Sequence, residues 1–368
     1  MLNIGFIHSG KEYYNDEFFN PKNNNYNRDD SQDQHLKLFK FLNSLDDICF
    51  HTIDYFKNDM VDVVIVYNHI ASNMNLLFKL IKKNPSLKII YIMYEPSTVV
   101  PIHESEYIKY FPIDMIFTWN TDVINELSNA KKLNVVNSPI EEIPSIDFHQ
   151  KDFLTSIFSY KHSNSSNELY TEREKAIKFF ALKKDVVSTL YGMGWERCKD
   201  VYIQSIYRGS IDNKIEVLKN YKFSICYENT RESNGYISEK IFDCFRAGVV
   251  PIYYGTDNIS DTIPKQCFID FSDFGNYEDL YKFLISIDEN KYNQYLLKAK
   301  FFLNSDIYKT FTSEYYVKVI YEALESLKKS SFKHNIFKIR IKLFIMIIKN
   351  IKVVIKNHKR LILDIFKI

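Results

Sequence analysis

The sequence predicts an α/β protein of two Rossmann-like domains whose parallel sheets face a cleft. Apolar runs of strand length alternate with segments of helical period, and the runs are near-continuous, as in sheets covered on both faces. The rhythm occurs twice, on either side of a Pro-bearing stretch at 137–152 that reads as the interdomain crossing. A length of 368 residues, 46% of them hydrophobic and 26% charged, suits two globular domains.

In the first half, residues 1–8 read as a strand, and 11–34, rich in Asn, Asp and Tyr, as an exposed loop. Helices are expected at 35–45, 74–83 and 121–130, with strands at 61–67, 87–94, 115–119 and 133–136. In the second half, strands are expected at 153–160, 186–191, 223–227 and 249–254. Helices are expected at 168–182 and 214–221, after Ser238 as N-cap with Gly248 as stop, and at 277–286, 291–303 and 312–327. The domains are therefore set at 1–150 and 151–327, with 328–368 as a tail.

The formal charge of +2 hides an asymmetry. Residues 328–368 hold 12 of the 48 Lys and Arg against one of the 46 acids, which leaves 1–327 with 36 against 45, a net of −9. The body is acidic and the tail basic, so the tail is expected to meet an anionic surface, and no nucleic-acid partner is expected. Five scattered cysteines without a C-x-x-C pair read as free thiols in a reducing compartment. The first residues lack the basic start and apolar length of a signal peptide, and no run reaches a membrane span. A cytoplasmic protein is expected.

The dinucleotide fingerprint fails, because Gly192-Met193-Gly194 is followed by Arg197 where a glycine belongs. There is no Walker-type loop, no Asp-x-Asp metal clamp and no His pair at ligand spacing. No cofactor and no essential divalent metal are expected.

The densest group of function-capable side chains lies at 221–264, between a strand and a helix start. Ligands in parallel α/β sheets bind at the loops after strand C-termini. As a nucleotide-diphosphate site, Lys240 in the first helical turn would sit where the helix dipole favours an anion. Glu239 would accept from two ribose hydroxyls, and Tyr236 would offer a stacking face. The same three residues also read as a first-turn acid, a solvated lysine and a packing ring.

The whole string is more specific. Lys222-Phe223, Tyr227-Glu228-Asn229, Gly235-Tyr236-Ile237-Ser238-Glu239-Lys240, Ala247-Gly248, Pro251-Ile252-Tyr253-Tyr254-Gly255 and Pro264 stand in order. This resembles the signature of glycosyltransferase family 10, the α-1,3/1,4-fucosyltransferases, in its bacterial type. The resemblance implies a GT-B-like fold and an inverting transfer of L-fucose from GDP-fucose to an acceptor glycan, such as a lipopolysaccharide or other surface polysaccharide precursor. Glu168-Leu169-Tyr170-Thr171-Glu172-Arg173 is similar to the family run whose arginine contacts the donor diphosphate, which points to Arg173. Asn229, Tyr236, Glu239 and Lys240 join it as donor-binding residues. Tyr191-Gly192-Met193-Gly194-Trp195 resembles the family's Y-G-x-G-W, with Met193 where an arginine is common. Tyr207-Arg208-Gly209 and Lys214 resemble the segment ahead of the signature, which adds Arg208 and Lys214 to the donor-binding set.

In the first domain, Glu95-Pro96, Pro101 and Ile116-Phe117-Thr118-Trp119-Asn120 are similar to the family's E-P-P…P…F-T-W-N, with Ser97 in place of the second proline. The resemblance makes Glu95 the general base. By residue type alone it reads as a Glu-Pro turn residue exposed to water, with His103, Glu104 and Glu106 as fallback bases.

From 336 onward, Lys338, Lys342, Lys349, Lys352, Lys356, Lys359, Arg360 and Lys367 fall on one stripe about 100° wide at helical pitch. Phe344, Ile347, Ile351, Ile355 and Ile362 lie opposite. A basic amphipathic helix at 336–368 suits the anionic inner face of the cytoplasmic membrane, bound peripherally. The alternatives are packing on the acidic body and a homodimer contact. Two rival functions also stand: the same fold with another nucleotide-sugar donor, and a catalytically silent glycan- or nucleotide-binding protein at the membrane surface.

Overall fold

Two all-parallel sheets account for the apolar runs. The computed structural model describes residues 1–8, 10–21, 32–57, 59–137, 143–144, 146–231, 234–328 and 333–349. The described residues form two compact units, those within 1–134 and 313–349 in the first and those within 135–312 in the second.

The first unit holds β1 (Leu2–Ile7), β2 (Ile48–Thr52), β3 (Val63–Tyr67), β4 (Lys88–Met93), β5 (Met115–Thr118) and β6 (Ala130–Lys132). Their order is β2-β1-β3-β4-β5-β6, every pair parallel. Every residue of β4 is buried, which is why its sequence KIIYIM shows no alternation. The helix Met74–Lys83 covers the sheet with Met74, Leu77, Phe78 and Ile81, at the i, i+3, i+4, i+7 spacing of a single face.

The second unit holds β7 (Asp152–Ile157), β8 (Ser188–Tyr191), β9 (Tyr221–Tyr227), β10 (Val250–Tyr254) and β11 (Ile269–Asp270), in the order β11-β10-β9-β7-β8. The chain leaves β7 for β8 on one side and later returns to place β9 on the other. The sheet therefore switches direction between β7 and β9, and the crevice at such a switch point is where open α/β sheets bind ligands.

Four expectations need correction. Of the loop expected at 11–34, residues 22–31 lie outside the described residues, and the part before them is not simply exposed: Phe18 and Phe19 are buried, and Phe18 stacks on Phe6 at 4.7 Å. Asp16 ties this segment to β2, accepting from Thr52 N at 2.8 Å. The helix expected at 121–130 stops at Glu126 so that 130–132 can form β6, in place of the strand expected at 133–136. The unit boundaries also differ from 150 and 327. The helix Ser313–Lys328 belongs to the first unit, where Ser313 Oγ donates to Asp33 at 2.6 Å and Tyr316 Oη meets His35 Nδ1 at 3.1 Å.

The fourth correction concerns the tail. The helix Ile336–Lys349 buries Ile339, Leu343, Met346 and Ile347 in one core with Leu77, Phe78 and Ile81. Of the apolar face expected from sequence, Ile347 is buried against the protein, while Phe344 is 42% exposed. Ile351, Ile355 and Ile362, and the cations from Lys352 to Lys367, lie outside the described residues. A second apolar stripe, Phe337, Ile341, Phe344, Ile345 and Ile348, is exposed, with Phe337 at 73% and Ile348 at 57%. At ~100° per residue this stripe lies opposite the buried face, and Lys338, Lys342 and Lys349 flank it. Among the described residues no helix is long and apolar enough to cross a membrane.

Candidate functional site

β9 is central in its sheet, and the chain leaves its C-terminal end at Glu228, whose side chain is 0% exposed. A carboxylate is tolerated there only if its lone pairs are taken up. Oε1 accepts from Ser238 N at 2.8 Å, while Oε2 accepts from Ser238 Oγ at 2.7 Å and Lys240 Nζ at 3.1 Å. Ser238 caps the helix Glu239–Arg246 with an extended backbone, and its hydroxyl accepts from Lys240 Nζ at 2.9 Å. The Lys240 ammonium thus spends two of its three protons inside the protein; the third has no partner among the described residues. Gly255, after β10, makes room for this arrangement: a Cβ there would stand 2.7 Å from Glu228 Cγ and 2.3 Å from Tyr253 Oη.

Arg173 lies in the first turn of the helix Tyr170–Leu182, which carries the chain from β7 to β8, and is 4% exposed. Its Nε and Nη2 donate to Tyr227 O at 3.2 and 2.8 Å, and Nη2 also donates to Asn229 Oδ1 at 2.9 Å. The guanidinium lies over the rings of Phe158 at 4.4 Å and Tyr170 at 5.0 Å. Burial lowers its pKa, offset in part by Tyr170 and Glu228. Phe158 follows β7 and Tyr227 ends β9, so Arg173 stands at the switch point of the sheet. No carboxylate among the described residues forms an ion pair with it. The Y-G-M-G-W run supports this position indirectly. Gly192 has φ 130, a Cβ on it would fall 1.9 Å from Phe158 O, and Trp195 Nε1 donates to that same oxygen at 2.6 Å.

Asn229 continues the chain, donating from Nδ2 to Tyr236 Oη at 3.4 Å. Tyr236 is 4% exposed, so its ring is packed rather than offered as a stacking face. Glu239 is half-buried at the first helical position, beside Lys240. Arg208 and Lys214 have local partners. The exposed Arg208 uses Nη1 on Ser205 O at 2.9 Å and Tyr207 O at 3.0 Å, closing a helix end beside β8. Lys214 pairs with the buried Asp243 at 2.7 Å, part-way along the helix Glu239–Arg246.

In the first unit, Glu95 follows β4 and is half-buried. Its N–H donates to Asn68 Oδ1 at 3.1 Å, and its carbonyl lies 2.6 Å from His103 Nδ1. His103 is 1% exposed with both ring nitrogens engaged, which removes it as a fallback base. Burial raises the Glu104 carboxyl pKa against a hydrogen bond from Ser97. The F-T-W-N run fixes the strand end: Trp119 Nε1 donates to Tyr94 O at 2.6 Å, and Asn120 caps the next helix by accepting from Asp122 N at 2.9 Å.

Sequence reasoning missed the structural part played by Glu228, the rings of Phe158 and Tyr170 beneath Arg173, and Asn68. Glu228 stood inside the signature, and burial of the strand before it was the available signal. Asn68 had none, being a single polar residue at a strand end.

A family model described as glycosyltransferase family 10 (fucosyltransferase), C-terminal part, matches residues 153–339. An α-(1,3)-fucosyltransferase of Helicobacter pylori is 33% identical over 87 residues, 24% of this chain and 18% of that one, so the match spans about a fifth of the relative's length. A crystal structure of an α1,3-fucosyltransferase with GDP superposes with a TM-score of 0.55 at 15% identity, covering 90% of this chain and 91% of that one. A crystal structure of an α1,3-fucosyltransferase with GDP-fucose gives 0.54 at 16% identity, over 91% and 92% of the two chains. These neighbours carry the GT-B fold of two parallel-sheet domains.

Proposed function

The chain belongs to glycosyltransferase family 10, the fucosyltransferases, and on that premise we propose that it transfers L-fucose from GDP-fucose to a hydroxyl of an acceptor glycan, inverting the anomeric carbon. The observation that carries the donor half is Arg173, a buried guanidinium at a sheet switch point that donates to carbonyl and amide oxygens and, among the described residues, forms no ion pair with a carboxylate. Such a group is built for an anion that arrives with a ligand, and a planar fork suits two phosphate oxygens. The GDP and GDP-fucose of the similar solved structures are the matching chemistry.

In the proposed reaction Glu95 takes the proton of the acceptor hydroxyl as its oxygen bonds to fucose C1. The bond from C1 to the β-phosphate oxygen breaks, and negative charge builds on the leaving diphosphate. Arg173, the third proton of Lys240 and the N–H groups of the helix after Ser238 would take up that charge, so the reaction is written without a divalent metal. Glu239 would hold the ribose hydroxyls.

The acceptor is proposed to be a lipopolysaccharide or other surface polysaccharide precursor, and the setting the inner face of the cytoplasmic membrane. What supports this is the exposed stripe Phe337, Ile341, Phe344, Ile345 and Ile348 flanked by Lys338, Lys342 and Lys349, a face suited to anionic lipid.

The deciding experiment is hydrolysis and transfer across a panel of nucleotide sugars, with Glu95→Gln beside the native chain. Preference for GDP-fucose, with transfer by the variant down about 10²–10⁴-fold and GDP affinity kept, is expected. Preference for another donor would overturn the donor assignment, and full transfer by Glu95→Gln would overturn the base.

A further inference from the structure

We propose that Asn68 is a positioning residue for Glu95, with Tyr91 and His103 closing the frame around it; this rests on Glu95 being the base. Asn68 follows β3 directly, is 4% exposed, and has φ 56, a left-handed conformation that asparagine tolerates better than most residues. Its own N–H donates to Ile92 O at 2.9 Å, which anchors it to β4. That backbone turn aims the side chain at the end of β4, where Oδ1 accepts from Tyr94 N at 2.8 Å and Glu95 N at 3.1 Å. Both amides have left the sheet ladder after Met93 and need an acceptor if they are to stay buried.

The other side of Asn68 is held as firmly. Its carbonyl accepts from Tyr91 Oη at 2.8 Å and lies 3.0 Å from His103 Nε2. Nε2 is also 2.6 Å from Tyr91 Oη. His103 Nδ1 lies 2.6 Å from Glu95 O, and because a carbonyl only accepts, Nδ1 carries a proton. The Glu95 backbone is therefore gripped at both ends, N–H by Asn68 and C=O by His103, and Pro96 restricts the peptide that follows. The side chain of the proposed base leaves from this held backbone. Fixing its root limits the arc its carboxylate can sweep, which matters because small misplacements of a reacting group cost rate steeply.

The residue type is decided by two demands. Glycine meets the left-handed turn but has no acceptor. Aspartate keeps the acceptor and adds a negative charge near Glu95. Asn68→Gly should fold, since glycine takes φ 56 freely, and should lower kcat about 10-fold or more with GDP affinity and donor KM unchanged. Asn68→Asp should recover most of kcat near pH 8, while its added charge raises the Glu95 pKa and moves the acid limb of the pH profile upward. A core role alone would shift the unfolding midpoint and leave that limb in place. His103→Asn, whose amide can keep the bond to Glu95 O, should retain more kcat than His103→Ala. Native kcat in Asn68→Gly, or a loss that Asn68→Asp does not recover, would overturn the proposal while leaving the Glu95 assignment intact. Full transfer by Glu95→Gln removes the base, and the positioning role falls with it.

Discussion

Lys240 Nζ stands 3.1 Å from Glu228 Oε2, and the carboxylate it meets is wholly buried while the lysine side chain is 14% exposed. The cation that would face a diphosphate is thus also the counter-charge of a buried acid. Lys240→Met leaves Glu228 buried without its cation and should cost about 3–5 kcal/mol of stability in urea unfolding. The pair Glu228→Gln with Lys240→Met removes both charges and should recover much of that loss, yet not GDP affinity. Recovery of nucleotide binding along with stability would mean that Lys240 serves the fold alone.

Arg173 makes its contacts through a fork that a lysine cannot reproduce. Arg173→Lys keeps the charge, loses the paired donors to Tyr227 O, and should weaken GDP binding about 10–100-fold by calorimetry. Unaltered affinity would show that the guanidinium only ties Tyr227 and Asn229 together.

Acid should destabilise the first unit early. His35 is buried, its Nε2 has no partner among the described residues, and burial pulls its pKa to about 3, with His8 adding to the shift. His8 is lowered to about 4, again chiefly by burial. The ordinary value is 6.5, so the unfolded chain takes up these protons first. Stability contributed by the neutral rings is present above pH 6.5 and is lost as pH falls towards each folded value, by about 1.4 kcal/mol per pH unit per histidine. Urea midpoints between pH 7 and 4.5 should fall less steeply in His35→Phe; an equal slope would remove His35 as a cause.

The two faces of the helix Ile336–Lys349 should separate in experiment. Leu343→Ala opens the core of the first unit and should cost about 2–5 kcal/mol. Phe337→Asp with Ile348→Asp touches the exposed stripe only, and should reduce flotation with phosphatidylglycerol vesicles without moving the unfolding midpoint. Unchanged flotation would end the membrane proposal for this face.

Strands such as β3 and β4, and the helix Met74–Lys83, were legible because burial alone sets their residue pattern. β2 was not: ICFHT is short, follows two aspartates, and becomes a strand only because β1 offers an edge. The signature around Glu228 and Lys240 was legible as a string, but its internal ion pair was not, because pairing depends on the depth at which β9 ends. The partners of Arg208 and Lys214 were likewise hidden from the string. Basic residues at suggestive positions are satisfied locally by carbonyls and by Asp243. The unit boundary at 313 depends on contacts of Ser313 and Tyr316 with Asp33 and His35, 280 and 281 positions earlier, which no local pattern announces.

That return of the chain has a consequence for synthesis. A ribosome that has reached residue 312 has delivered every described residue of the second unit, while the first still lacks the helices Ser313–Lys328 and Ile336–Lys349. The unit whose strands are made first waits for 313–349, so its N-terminal sheet stays with the faces those helices cover exposed until they emerge. Protease challenge of nascent chains arrested at 312 plus a tunnel-length spacer should find the second unit protected and the first open; protection of both would show that the N-terminal sheet stands without its closing helices.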